Sequence, residues 1–261
     1  MAAANGAQMS ALARRMLLAT SKGAGDPAIL MLEDGTIFYG RACGAPGTAI
    51  GEVCFNTSLE GYFEVATDPS YAGQIVTMTY PQVGNYGVDP ADSQCASRPA
   101  LRAMVVRDMC RTPSNWRSAE TLPRFLAEAG VVAIEGVDTR ALVRLLRDSG
   151  AQKGIVSTEE FDPARLRELM ADAPDLVGVN LAKTVSCREP YGYGAADLPA
   201  SRFFAHGPAP AAARRVVAYD CGIKNGILES LVRAGCELTV VPWDTPADDV
   251  LALRPDGVFL S

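Results

Sequence analysis

The chain of 261 residues contains a single histidine, His206, and none of its seven cysteines forms a C-x-x-C pair. One imidazole without clustered ligands argues against a self-contained metalloenzyme. The cysteines at 43, 54, 95, 110, 187, 221 and 236 are odd in number and irregularly spaced. They read as reduced, partly buried thiols of a cytosolic protein rather than a disulfide framework or a zinc site. No apolar run approaches the roughly 18 residues that a bilayer span requires. The formal net charge of -6 gives no broad cationic surface for nucleic acid. What remains is a chain that is 48% apolar and long enough for two domains with separate cores.

Residues 1–28 stand apart. They carry Arg14, Arg15 and Lys22 against one acid, Asp26, and Leu12, Met16 and Leu17 could give a short helix one apolar face. The apolar run is too interrupted for a secretory signal. The segment reads as a flexible extension or short capping helix, with a transit peptide as the alternative.

The next stretch is strand-rich with helical insertions. Ile29 to Leu32 and Ile37 to Tyr39 flank Glu33-Asp34-Gly35-Thr36, where Asp-Gly supplies the positive φ of a tight turn. Glu52 to Asn56, Gln74 to Tyr80, Ala103 to Arg107 and Val131 to Ile134 predict further strands. Thr121 caps a predicted helix with Leu122, Phe125, Leu126 and Ala129 on one face and Gly130 at its exit. Asp138 or Thr139 caps Arg140 to Asp148, with Leu142, Leu145 and Leu146 inward. Arg140, Arg144 and Arg147 then line a solvated face, or, as the minority alternative, a surface for a partner subunit. Asp162-Pro163 opens another helix with Leu166, Leu169 and Met170 inward.

From Cys187 to Arg215 the chain is dense in Pro, Gly, Ala and Tyr, the composition of a long linker or packed extended arm; His206 falls inside it. A βαβαβ pattern follows. Val216 to Tyr219, Leu238 to Val241 and Gly257 to Leu260 are strands, a helix carries Ile227, Leu228, Leu231 and Val232, and Thr245-Pro246 caps a short second helix. Strands alternating with helices predict a parallel sheet with right-handed crossovers. Three strands and two helices cannot cover such a sheet on both faces, so the module reads as incomplete. Ligands of open parallel sheets collect beyond the carboxyl ends of the strands, where this chain stops.

The local motifs are individually weak. Gly222-Ile223-Lys224-Asn225-Gly226 matches neither the dinucleotide nor the Walker spacing, and its glycines read as turn residues. Asp220 is placed to cap the helix or orient the loop. Asp68-Pro69-Ser70-Tyr71 predicts a turn that exposes the Ser70 hydroxyl. Without an adjacent base that serine is a capping or ligand-binding group rather than a nucleophile. Cys221 follows a strand, yet the only histidine is in the linker.

Taken in order, these segments resemble the small, glutamine-hydrolysing subunit of carbamoyl-phosphate synthase. The resemblance runs through Leu32-Glu33-Asp34-Gly35-Thr36, Gly51-Glu52-Val53-Cys54-Phe55-Asn56-Thr57-Ser58 and Thr67-Asp68-Pro69-Ser70-Tyr71, then Gln74-Ile75-Val76 and Thr79-Tyr80-Pro81. It continues through Gly84-Asn85-Tyr86-Gly87, Gly136-Val137-Asp138-Thr139-Arg140, Gly150-Ala151-Gln152-Lys153-Gly154, Asn180-Leu181-Ala182 and Ala218 to Asn225, and ends on Pro255 to Ser261.

The resemblance implies an α/β protein. Residues 29–186 form the strand-rich mixed α/β N-terminal domain of the small subunit, 187–214 a linker, and 215–261 the first βαβαβ portion of a class I glutamine amidotransferase domain. It further implies a ligase that hydrolyses L-glutamine and passes ammonia to a large subunit. There bicarbonate and two ATP molecules give carbamoyl phosphate for arginine and pyrimidine synthesis.

In that family a cysteine on a strand-to-helix turn attacks the amide, and a histidine oriented by a glutamate moves the proton. Those residues would lie after Ser261, and none of Cys221, Cys236 or His206 matches them. The catalytic set carried over is therefore empty, and Ser70 is the one residue expected to contact glutamine, reaching from the first domain. The implied partners are the large subunit and L-glutamine, with room for higher-order assembly of heterodimers. The chain itself is expected to bind no cofactor, ATP and Mg being used by the large subunit, and to be cytoplasmic and inactive alone. The alternatives are a non-catalytic scaffold or regulatory subunit and, from a different class, a nucleotide-dependent α/β enzyme.

Overall fold

A computed structural model describes residues 25–95, 99–174, 176, 178–199 and 211–261. His206 and the helical face read at Leu12, Met16 and Leu17 lie outside these residues. The chain divides into two compact units.

The first unit is built on a closed barrel. Strands β1 (Pro27–Leu32) and β2 (Ile37–Ala42) form the expected hairpin, with Gly35 at φ 88° and the Leu32 N–H donating to the Thr36 carbonyl at 2.9 Å. Next come β3 (Thr48–Asn56), α1 (Tyr62–Thr67), β4 (Gln74–Met78), β5 (Gln82–Val83), β6 (Ala103–Val105), β7 (Asp108–Met109), α2 (Leu122–Glu128), β8 (Val132–Glu135), α3 (Thr139–Ser149), β9 (Gln152–Ser157) and α4 (Pro163–Asp172). The barrel order is β1-β2-β8-β6-β4-β3-β9, and β9 closes it by pairing antiparallel with both β1 and β3. The contacts β3–β4, β4–β6 and β6–β8 are parallel. Parallel neighbours need crossovers, which the intervening helices and loops provide.

Alternate residues of β1 serve two cores, as period-2 geometry requires. Leu30 and Leu32 join Val53, Ile75, Val105, Ile134 and Val156, with Leu142 and Leu146 of α3. Ile29 and Met31 join Ile155 with Leu166 and Met170 of α4. Burial on both faces explains why β1 reads as an unbroken apolar run. The three predicted helix starts are found: Thr121, Asp138 and Asp162 each accept a backbone N–H from the first turn that follows. Arg140, Arg144 and Arg147 are exposed.

The strand β9 was not legible from alternation, because Gly154 interrupts it. A Cβ at that glycine would lie 2.5 Å from Val53 Cγ2, so only glycine lets β9 approach β3 this closely.

The second unit contains Asn180–Ser261 together with Thr67–Ala72 and Pro90–Ala100. Its elements are α5 (Ala182–Val185), β10 (Tyr191–Tyr193), β11 (Arg214–Asp220), α6 (Asn225–Arg233), β12 (Cys236–Pro242), α7 (Ala247–Ala252) and β13 (Gly257–Leu260). The sheet order is β10-β12-β11-β13. Both β12 and β13 run parallel to β11, while β10, from the stretch read as linker, pairs antiparallel with β12. Leu228 and Val232 of α6 pack on Ala218, Leu238 and Val240, and Val250 of α7 packs with Val217 and Val241. The two helices thus take alternate residues of the same strands. Thr245 is not the side-chain cap of α7 that the sequence predicts, since its hydroxyl donates back to the Pro242 carbonyl at 2.9 Å.

Candidate functional site

The carboxyl end of β11 organises the second unit. Asp220, the last residue of that strand and only 6% exposed, orients the loop rather than capping α6. Its Oδ1 accepts the N–H groups of Gly222 and Ile223, each at 2.9 Å, and its Oδ2 accepts that of Cys187 at 2.7 Å. Gly222 sits at φ 107°, and a Cβ there would lie 3.0 Å from Val185 Cγ2 and 3.2 Å from Pro69 Cβ. The glycine therefore admits two other segments against the loop.

One of those segments carries Ser70, at the centre of a one-turn 3-10 helix, Pro69–Tyr71. Asp68 is its cap, accepting the Ser70 N–H at 2.8 Å through Oδ1. The other carboxylate oxygen receives Lys224 Nζ at 2.7 Å. Asp-Pro-Ser is a legible turn, with Asp as cap and Pro in the first position. Lys224, distant in sequence and on the loop before α6, was not. The Ser70 side chain is exposed, and among the described residues its hydroxyl makes no hydrogen bond. The sequence places Ser70 in the first domain, whereas the contacts group Thr67–Ala72 with the second unit.

A further set of bonds pins the same segment. The Asn225 N–H donates to the Gln94 carbonyl and Asn225 Nδ2 to the Ser93 carbonyl, both at 3.0 Å, and the Gln94 N–H donates to Thr67 Oγ1 at 2.9 Å. No sequence spacing signals these contacts. Thr67, Asp68, Gln94, Lys224 and Asn225 are the residues that a reading of Ser70 alone leaves out.

The cysteines are all free thiols. Burial, followed by the Asp220 carboxylate, pushes the Cys187 thiol up to about 11. Cys221 is exposed on the turn, and its N–H donates to Ser261 Oγ at 3.0 Å. Cys236 is half-buried at the start of β12. Among the described residues no three His, Cys, Asp or Glu side chains are grouped to hold a metal ion. No described helix is long and apolar enough to cross a membrane. Chemically, the arrangement offers an exposed hydroxyl on a fixed backbone turn, whose capping carboxylate is already paired with an ammonium.

Residues 30–156 match the family described as carbamoyl-phosphate synthase small chain, CPSase domain. The chain is 51% identical over 234 residues to the carbamoyl phosphate synthase small chain of Syntrophotalea carbinolica, covering 90% of this chain and 62% of that protein. For the small chains of Thermosynechococcus vestitus and Thioalkalivibrio sulfidiphilus the identities are 49% and 50%, with 90% of this chain covered in each case and 61% and 62% of theirs. The chain thus spans less than two thirds of the length of these relatives. Among solved structures, an aminopeptidase from Aneurinibacillus sp. strain AM-1 aligns with TM-score 0.31 at 12% identity over 91% of this chain and 57% of its own, too slight a likeness to argue a shared fold. By the sequence matches, the chain is similar over 90% of its length to carbamoyl phosphate synthase small chains.

Proposed function

We infer that this chain supplies the partner-docking domain of a glutamine-dependent carbamoyl phosphate synthase small chain, together with one substrate-positioning group, Ser70. The observation that supports this reading is the Ser70 hydroxyl, exposed and unengaged among the described residues, on a turn fixed by Asp68 beside the loop at the end of β11. In a parallel sheet, the carboxyl ends of the strands are where a substrate is met. A hydroxyl both donates and accepts, so it can bond the amide or the α-substituents of glutamine. Its backbone is already ordered, which lowers the entropic cost of orienting the substrate.

The complete small chain then hydrolyses L-glutamine to glutamate and ammonia. The large subunit, using bicarbonate and ATP with Mg, makes carbamoyl phosphate in the cytoplasm for arginine and pyrimidine synthesis. These 261 residues bind no cofactor of their own and do not turn glutamine over. The exposed Cys221 thiol follows a strand but has no imidazole among the described residues to take its proton.

The test uses the purified chain and a purified large subunit. The chain is expected to release no ammonia from glutamine above a boiled control, and to form a stoichiometric complex with the large subunit in sedimentation. Glutamine turnover by the chain, or failure to associate with the large subunit, overturns the reading.

A further inference from the structure

We propose that Asn225 and Thr67 are positioning residues for Ser70, fastening its turn to the start of α6 through the intervening backbone of Ser93 and Gln94. The inference rests on the reading of Ser70 as a glutamine contact.

The path is continuous. Asn225 is the first residue of α6, and its amide side chain and backbone N–H each take a carbonyl of the passing segment, Ser93 and Gln94, at 3.0 Å. The next link is the Gln94 N–H, which donates at 2.9 Å to the hydroxyl of Thr67, a side chain only 2% exposed. Thr67 is followed directly by Asp68, which holds the Ser70 N–H. A Cβ on Gly226 would lie 3.4 Å from Gln94 Oε1, so the Gln94 side chain also rests on the first turn of the helix.

The physical reason for such a strap lies in the turn itself. A single 3-10 turn has few hydrogen bonds of its own, and a three-residue helix does not persist without outside support. The Lys224–Asp68 ion pair is one tether, between a lysine side chain that is 38% exposed and a carboxylate that is 13% exposed. The Asn225–Ser93/Gln94–Thr67 path is a second tether, made of neutral bonds whose Thr67 end is buried. The two attachments, at Asp68 itself and at Thr67 just before it, hold the entry to the turn and so the backbone that carries the Ser70 hydroxyl. Neither Asn225 nor Thr67 needs to touch substrate.

Asn225→Asp keeps the backbone N–H and suits a helix start, but loses the Nδ2 donor to Ser93. Thr67→Val preserves shape and loses the acceptor for Gln94, and Thr67→Ser restores it. In the full-length small chain assembled with its large subunit, Asn225→Asp and Thr67→Val are each expected to raise KM for glutamine about three- to tenfold, the equivalent of one neutral hydrogen bond. The expected kcat and the rate with added ammonia are unchanged, and Thr67→Ser behaves as wild type.

Ser70→Ala serves as the reference. If it raises KM while Asn225→Asp and Thr67→Val do not, the positioning role is refuted. If Ser70→Ala leaves KM unchanged, the substrate reading falls, and amide hydrogen exchange of the present chain decides the strap separately. Faster exchange at the Ser70 N–H in both variants, with barrel amides unchanged, upholds it; unchanged exchange overturns it.

Discussion

Asp220→Ala is the most informative single perturbation of the second unit. The carboxylate takes three backbone N–H groups, from Cys187, Gly222 and Ile223. A net hydrogen bond to a charged acceptor contributes roughly 1.5–3 kcal/mol. Three bonds to one carboxylate are not independent, and truncation also removes the cost of burying a charge. The Cys187 and Gly222 bonds are partly buried, so water can reach those donors; the Ile223 bond is buried, and its donor would be orphaned. One orphaned donor plus part of the other two bonds gives an expected loss of about 3 kcal/mol.

The assay is urea unfolding followed by fluorescence. The chain has two tryptophans, Trp116, 90% exposed in the first unit, and Trp243, half-buried in the second. In a Trp116→Phe background, Trp243 reports the second unit alone. A lower midpoint at unchanged slope is expected, and a loss below about 1 kcal/mol would refute the assignment of Asp220 as the clamp of the loop. Asp220→Asn adds a second reading, because it removes the charge beside Cys187. Site-resolved alkylation should show the Cys187 thiol falling from about 11 while staying above its ordinary 9.0, since burial is the leading cause. An unmoved thiol contradicts the electrostatic part of the argument.

Two further predictions concern the barrel. Thr77 is fully buried and among the described residues its hydroxyl has no hydrogen-bond partner, so Thr77→Val should stabilise the first unit by about 1 kcal/mol, and a lower denaturation midpoint would contradict it. Burial is also the first cause that lifts the Cys54 thiol to about 11 and the Tyr86 phenol to about 12, against 9.0 and 10.0. The folded state therefore holds these protons after the unfolded chain has released them. Stability from these groups is intact below about pH 9 and drains away as pH rises through the folded values; unfolding curves that do not shift across that range refute the burial argument.

Elements whose causes are local could be read from the residues in order. The Asp34-Gly35 hairpin, the Asp138 cap over Leu142 and Leu146, and the apolar run Val216 to Tyr219 each rest on neighbours within a few positions. Barrel closure does not, because β9 pairs with β1 and β3, which lie far back in the chain. The place of β11 between β12 and β13 follows from which edge each crossover returns to, and periodicity along a strand carries no information on that. At the candidate site, the exposed Ser70 hydroxyl was legible because Asp-Pro-Ser encodes its own turn. Lys224, Asn225, Gln94 and Thr67 were not, since hydrogen bonds between distant segments leave no spacing in the sequence.

The central claim is that Ser70 serves glutamine rather than the assembly. It is tested most directly by Ser70→Ala in a full-length small chain bound to its large subunit, with carbamoyl phosphate synthesis measured from glutamine and from ammonia in parallel. The account predicts impaired use of glutamine with ammonia-dependent synthesis retained; equal loss of both activities would contradict it and assign the serine to folding or docking.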